Sequence, residues 1–419
     1  MTTETSAPPL PHPFTPGSAR AAFSYRSFRR LWMGSFLSNV GTWMQNMTLP
    51  AYIAKRTGSF GQVGIMVFAQ LGPMLILAIP AGILAARASR HRILIGSNAA
   101  QMIGSVILAL LVSRDAAIPT LFIANLGIGI AAALSAPAYQ TTLPTLIDRR
   151  DLAGAISLNS TQLNGSRVIG PVIAALLTAV GVSIAQLFLF NAVTYLFVIW
   201  ALAITYFPPI VNRSTDKGWR QLTTGLHIAR ERWVLGRLLI SMTTLSMFTL
   251  VFVGQFAPIT ARIFGIDSLS VTYKWLYATW GFGACLGAIS AGTVLTRIDK
   301  ARLIRPSTVG LGLSLAVFAL ISSPVAAFPA GFVLGMFYFL MATAMTTVFQ
   351  QSMADHERAY VMPLWFMSFG GTVTIGNLAF GPVMDHIGPR PVMLGGAVVA
   401  LVVAAWTDFA RTPSPALPV

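Results

Sequence analysis

At 419 residues, 55% of them hydrophobic and 10% charged, with mean hydropathy +0.71, the chain is too apolar for a soluble protein, in which about a quarter of residues carry charge. Its net charge of +16 comes without a basic helix or zinc-finger spacing, which argues against nucleic acid and for positive loops facing an anionic leaflet. Cys285 is the one cysteine and the five histidines fall in loops or at span ends, so no disulfide framework, metal centre, catalytic triad, enzyme activity or cofactor is expected.

Residues 1–27 open Pro-, Thr- and Ser-rich and read as a disordered tail rather than a signal peptide. Arg20, Arg26, Arg29 and Arg30 precede the first apolar run and place this end in the cytoplasm. Six runs of membrane-spanning length follow, at roughly 31–53, 63–86, 93–113, 118–140, 153–180 and 184–206. Together residues 28–206 form a first half. A basic linker, 207–234, opens at Pro208-Pro209 and joins it to a second half, 235–410. The second part of that linker, Leu222 to Trp233, is either a short amphipathic helix with Leu222, Leu226 and Ala229 on one face or a solvated connection. The second half repeats six spans, at roughly 235–260, 271–295, 303–322, 326–349, 359–384 and 391–410, before a Pro-rich tail at 411–419.

Charge fixes the expected orientation. With this count 21 Lys and Arg fall on the N-terminal side, six on the other and Arg167 inside a span. An even number of spans with both termini cytoplasmic follows, and with it a multi-pass protein of the cell membrane surrounded by lipid. The loops holding Arg87–Arg92, Asp148–Asp151, Arg213–Arg232, Arg297–Arg305 and Asp355–Arg358 are then cytoplasmic.

The halves repeat one another. After the second span, Gly82 leads into Arg87, Arg90 and Arg92; after the eighth, Gly292 leads into Arg297 and Arg302, each 210 residues after its counterpart. Pro119 and Pro329, and Gln140 and Gln350, keep the same offset. Each half thus carries a basic hinge after its second span, and these residues are the candidate gate.

Two six-span halves with a Gly-to-Arg hinge resemble the major facilitator superfamily. The passages SNVGTWMQN (Ser38 to Asn46), PAYQTTLPTLIDRRDLAGAISLN (Pro137 to Asn159) and GSRVIGP (Gly165 to Pro171) resemble its enterobactin- and drug-exporter branch. That resemblance implies an all-α polytopic membrane protein of twelve transmembrane helices in two pseudo-symmetric halves. It also implies alternating access around a site near the midplane, and protons as the coupling ion of an antiporter. The chain departs from the pattern: Ala86 and Thr296 stand where an Asp is usual in the hinge, and no Lys or Arg lies between Arg114 and Arg149. All twelve Asp and Glu fall in tails, loops or span ends, so the residues themselves offer no proton relay at membrane depth.

In the first span Asn39, Trp43 and Asn46 share one helical face. Amides cannot face lipid unsatisfied, so this face points inward, lining a cavity or bonding a neighbouring helix; the resemblance favours the cavity. Ser160, Asn164 and Arg167 form a similar face in the fifth span. Arg167 either donates to carbonyls freed near the Gly170-Pro171 break, or to water, or meets an anionic group of a substrate. Trp280 and Tyr338 are cavity aromatics or core packing. Gly170-Pro171 and Gly381-Pro382 either serve ordinary helix packing or bend their spans and bias a gate, which adds Gly170 and Pro171 to the gate candidates; Gly283, Gly287 and Ala291 form a packing stripe; Thr343 and Thr347 suit hydroxyl-to-carbonyl bonds. The reading that follows is a monomeric exporter of a small amphipathic compound (a siderophore, drug or secondary metabolite). An uncoupled facilitator or uptake permease, and a non-transporting receptor or scaffold, are the alternatives.

Overall fold

Ser18, Ser59, Ser89, Ser183, Ser270 and Ser323 each precede a helix and accept a backbone N–H of its first turn, the capping that starts a helix where four donors lack partners. Gly58 and Gly265, at φ 65° and 67°, close two others in the left-handed conformation. The computed structural model describes residues 14–205, 218–295, 297–354 and 357–407.

In the first half, a short α1 (Ala19–Ser24) precedes α2 (Arg26–Thr57), α3 (Phe60–Arg87), α4 (Arg90–Ser113), α5 (Ile118–Thr142), α6 (Leu152–Ala179) and α7 (Ile184–Ala203). The linker region carries α8 (Gly218–Glu231). The second half begins with an interrupted pass: α9 (Trp233–Thr244), a π turn at Leu245–Thr249, α10 (Val251–Gly254) and α11 (Phe256–Phe264). Then come α12 (Val271–Gly292), α13 (Lys300–Leu320) and α14 (Pro324–Gln351). A second interrupted pass, α15 (Arg358–Phe366), a π turn at Met367–Gly371 and α16 (Thr372–Ile387), leads to α17 (Pro389–Trp406). The described helices therefore make twelve passes.

Seven segments are long and apolar enough to cross a membrane by length and composition alone. The passes that fall short are α2, α6, α12 and the two interrupted ones. Outward faces are studded with large apolar side chains such as Ile76, Ile123, Trp200 and Val402, as a lipid-facing surface requires.

Within each half the helices pack as a bundle, α2 on α6 and α7, α3 and α4 on α5, and α12 and α13 on α14. The halves meet along α3 with α16 and α6 with α12. Gly283 and Gly287 of α12 lie on the carbonyls of Phe332 and Met336 in α14, so the small-residue stripe serves packing as expected. Thr347 donates to the carbonyl of Thr343 at 2.8 Å, also as expected.

Several boundaries differ from the sequence reading. The tail expected to be disordered to residue 27 carries α1, and α2 already starts at Arg26. The backbone amide of Gly17 donates to Asp151 at 2.9 Å, and the Tyr25 hydroxyl to Asp148 and Asp151 at 3.0 and 2.8 Å. These bonds join segments far apart in sequence, which a local pattern does not reveal. Residues 206–217 and 408–419, and hence Arg213 and Lys217 of the linker's basic cluster and the final tail, lie outside the described residues. The amphipathic-helix reading of the linker matches α8, but its buried face holds Gly225, which lies against α15, and Ala229, while Leu226 is exposed. Arg232 at its end pairs with Glu357 at 2.8 Å, anchoring the linker to the second half.

Candidate functional site

Two close helix crossings set the position of Arg167. A Cβ at Gly170 in α6 would run into the Val40 carbonyl and the Trp43 side chain of α2, and one at Gly281 in α12 would press on the Arg167 carbonyl. The absence of a side chain at these points lets helices from both halves converge on one turn of α6. There the Arg167 guanidinium is sandwiched, 4.5 Å from the ring centroid of Trp43 in the first half and 4.1 Å from that of Phe339 in the second.

The sandwich accounts for a charge in the membrane centre. A central Arg costs about 2.5–3.5 kcal/mol on insertion scales, and a desolvated cation–π contact returns up to about 2 kcal/mol. No described carboxylate pairs with Arg167, and its Nε and Nη1 are sealed from solvent with no hydrogen-bond partner. The expected donation to carbonyls beside Gly170-Pro171 is therefore not what these two atoms do. Tyr277, Tyr338 and Cys285 are within electrostatic reach. The arrangement holds a cation in place while leaving donors uncommitted.

Beside Trp43 lies a cavity of about 110 Å³ between the halves, walled by Asn46, Gln70, Phe256, Tyr273 and Tyr277. The Gln70 amide donates to Asn46 Oδ1, which orients that polar edge toward the aromatic wall. Trp280 and Tyr338, the sequence candidates from the second half, line neither described cavity. They stack on each other at 6.2 Å, with Tyr277 5.2 Å from Trp280, and both are buried. They back the site rather than line it. Asn39 faces a different cavity, inside the first half. Asn164 donates to the carbonyl of Ser160 on its own helix at 2.9 Å and lines neither cavity. Phe339, Gln70 and Tyr277 were missed in the sequence: only their adjacency to Tyr338, Trp280 or the polar faces marked them, and an apolar run gives no sign of which aromatic turns inward.

The hinges are placed as follows. Gly82 and Gly292 have open space where a side chain would sit, and the Arg87 side chain and Thr296 lie outside the described residues. Arg92, Arg297 and Arg302 are exposed. Carbonyl donation at the hinges is made by Arg90, whose Nη1 donates to Thr141 at 3.0 Å, and by Lys300, whose Nζ donates to Leu295 at 2.7 Å. The reason is position: both open their helices, so their side chains reach back toward carbonyls at a helix end. Pro171 is buried within an unbroken α6.

Opposite the basic hinges, the halves are bolted together. Asp385 at the end of α16 accepts from the backbone amides of Phe60 and Gly61 at 2.7 and 2.9 Å and from the Ser59 hydroxyl at 2.8 Å. A carboxylate of the second half thus caps the N-terminus of α3 in the first. Lys55 pairs with Asp267, and Gln255 donates to the Phe60 carbonyl at 3.1 Å. Sequence alone placed Asp385 near a span end and gave it no partner.

Known proteins match this architecture. Residues 17–416 match the family described as transmembrane secretion effectors. The enterobactin exporter EntS of Escherichia coli O1:K1 is 26% identical over 302 residues, covering 71% of this chain and 70% of that protein. The staphyloferrin A transporter of Staphylococcus aureus is 26% identical over 366 residues, covering 84% of this chain and 88% of that protein. Among solved structures, a bacterial homologue of the human lysosomal transporter Spinster superposes with a TM-score of 0.69 at 16% identity, covering 94% of this chain and 100% of that one. The nucleoside transporter NupG gives 0.71 at 14% identity, covering 93% and 100%. The chain belongs to the transmembrane secretion effector family of major facilitator transporters.

Proposed function

We propose that this transporter exports a small amphipathic compound with an acidic group, of the siderophore class, by alternating access. The observation that carries the reading is the Arg167 guanidinium, held between Trp43 and Phe339 of opposite halves with Nε and Nη1 uncommitted. A planar fork with free donors suits a carboxylate or similar anion, and the aromatic wall of Phe256, Tyr273 and Tyr277 suits an apolar or ring-bearing body. The siderophore class comes from the relatives, one described as an enterobactin exporter and one as a staphyloferrin A transporter. With the basic face taken as cytoplasmic, the Asp385 and Lys55 contacts close the outer end, so the state described is one that would load from inside.

Everted membrane vesicles containing the full chain test this directly. Enterobactin and staphyloferrin A are offered outside, and accumulation is expected with the wild type and lost with Arg167→Gln. Arg167→Lys keeps the charge but not the fork and is expected to retain a small fraction of the rate. Accumulation only in right-side-out vesicles would make the protein an uptake permease. Absence of any solute movement would favour a receptor.

Uncoupled facilitation is the second reading. Several described acids already have structural partners at span ends, Asp151, Asp385 and Glu357 among them. Export that proceeds equally with and without an imposed pH gradient supports it; export that stops when the gradient collapses supports proton antiport.

A further inference from the structure

The first half contains a second cavity, of about 280 Å³, lined by α2, α4, α5, α6 and α7. None of its lining residues is charged. One wall is already wired: Thr42 and Tyr195 share a hydrogen bond of 3.0 Å, and the Tyr195 hydroxyl donates to Gln101 at 3.2 Å. The other wall is not. Ser35 Oγ, Tyr139 OH and Asn159 Oδ1 are buried without partners, and so are both amide atoms of Gln162. Ser35 and Gln162 adjoin Tyr139, yet none of these pairs closes with hydrogen-bond geometry.

Buried polar groups are nearly always paired, because an unmade bond forfeits the water that was given up. Ser35, Tyr139 and Asn159 line this roomy, uncharged cavity, and Gln162 adjoins Tyr139; their unpaired atoms mark a wall shaped for hydrogen bonding to something else. Arg167 itself lines neither cavity, but α2 serves both places: Asn39 lines this cavity, and Trp43, one helical turn on, stacks on the guanidinium. At helical rise those two positions are about 6 Å apart.

We propose that this cavity is a second subsite, which takes an uncharged part of the substrate rich in hydroxyl or amide groups while Arg167 holds the acidic part. The proposal rests on the export reading for its direction, but not for its chemistry. Tyr139 and Ser35 can each donate or accept, and Asn159 presents an acceptor. That mixture fits a polyol or an amide and discriminates against a second anion, for which the wall has no cation.

The test uses the full chain in lipid nanodiscs and two probes, 4-nitrophenyl β-glucoside (neutral and hydroxyl-rich) and 4-nitrobenzoate (acidic), with tryptophan quenching as readout. Tyr139→Phe and Asn159→Ala, each separately, are expected to lower the ratio of glucoside to nitrobenzoate affinity about tenfold, the effect of one lost hydrogen bond. No measurable glucoside binding by the wild type overturns the proposal. So does an unchanged ratio in both variants while they remain folded by thermal melting. If Tyr139→Phe raises the melting temperature and leaves the ratio alone, the wall is a packing defect and the proposal fails. Failure of the reading that Arg167 holds an acidic group looks different: Arg167→Gln would bind nitrobenzoate as the wild type does.

Discussion

Arg90 and Lys300, 210 positions apart, each open a helix at a basic hinge and each donate to a backbone carbonyl, Thr141 at 3.0 Å and Leu295 at 2.7 Å. The equivalence ends at the acceptor. Arg90 reaches across to the end of α5, whereas Lys300 closes onto the loop that follows α12. In the first half the cation therefore ties two passes together; in the second it stiffens one turn. Arg90→Gln is expected to slow transport roughly three- to tenfold with little change in ligand affinity, because an exposed hydrogen bond worth about 1 kcal/mol is lost at the hinge and not at the candidate site. Lys300→Gln is expected to do less, and Arg92→Gln least, since Arg92 is exposed. Initial transport rates and equilibrium binding, measured on the same reconstituted preparations, check the order.

The Asp385 cap gives a second expectation. Helix α3 offers its first amides to a carboxylate on the other half, and a negative group there also meets the positive end of the helix dipole. Asp385→Asn keeps an acceptor but removes the charge; Asp385→Ala removes both. An N-cap is worth about 1 kcal/mol, so the alanine variant is expected to shift the ratio of outer-closed to outer-open molecules about fivefold, and the asparagine variant by less. Spin-label distances between the α2–α3 and α16–α17 turns report that ratio. Equal distributions in wild type and alanine variant would mean that other contacts, such as Gln255 on Phe60, hold the end closed.

The neighbouring Lys55–Asp267 pair makes closure pH-dependent in one direction. The hydrogen bond from Lys55, followed by the Leu269 amide, holds the Asp267 carboxyl below its usual range. A depressed carboxyl contributes stability above its unfolded value, about pH 3.9, and loses it as pH falls through its lower folded value. The pair is 55% and 43% exposed, so water and salt screen it and the effect is small. Closure by the same distance measurement is expected to be flat from about pH 8 to 5 and to weaken only below about pH 4. Lys55→Gln should reduce that acid response. A transition centred near neutral pH would assign the titration to another group.

Much of this was legible in the chain, for identifiable reasons. Apolar length gives the passes, loop charge gives the two faces, and the 210-residue offset gives the halves. Gly170 and Arg167 stood out because a charge or a break inside an apolar run has few explanations. What stayed hidden depends on rotation and long-range pairing. Phe339 follows Tyr338 in an unbroken apolar run, and nothing local says that it covers Arg167. Asp385 and Phe60 are 325 residues apart, so the cap exists only once the halves meet. Asn164 shares a helical face with Arg167, but nothing local says that its amide is spent on the carbonyl of Ser160. The π turns at Leu245–Thr249 and Met367–Gly371 interrupt passes whose hydropathy alone reads as continuous.

The collar at the start of the chain supplies the last expectation. Asp151 is fully buried and its carboxylate accepts from the Gly17 amide and the Tyr25 hydroxyl at 2.9 and 2.8 Å, with Arg150 Nε at 3.5 Å. Gly154 lies against the Ser18 carbonyl, where a side chain would not fit. Residues 17–25 are thus clamped onto the junction between α5 and α6, at the end of the first half where the hydroxyl- and amide-lined cavity lies. Burial, then the bonds to Asp151 and Asp148, push the Tyr25 hydroxyl up to about 12, so it remains a donor at any physiological pH. A raised value of this kind contributes stability below about pH 10 and loses it only as pH rises toward that folded value. Tyr25→Phe removes the donor and leaves a buried carboxylate short of one bond, a loss of about 1–3 kcal/mol. Because the clamp is local, the expected result is release of the segment, not unfolding of the bundle. Limited proteolysis in nanodiscs should then cut near Arg20 and Arg26 in the variant several-fold faster than in the wild type, with the bundle's melting temperature moving little. Gly154→Ala, which acts through shape and not through the hydroxyl, should expose the same sites. Protection of both variants to wild-type level would show that the collar is held by its apolar contacts, Ala22 and Phe28 beside Leu143 and Ile147, and not by Asp151.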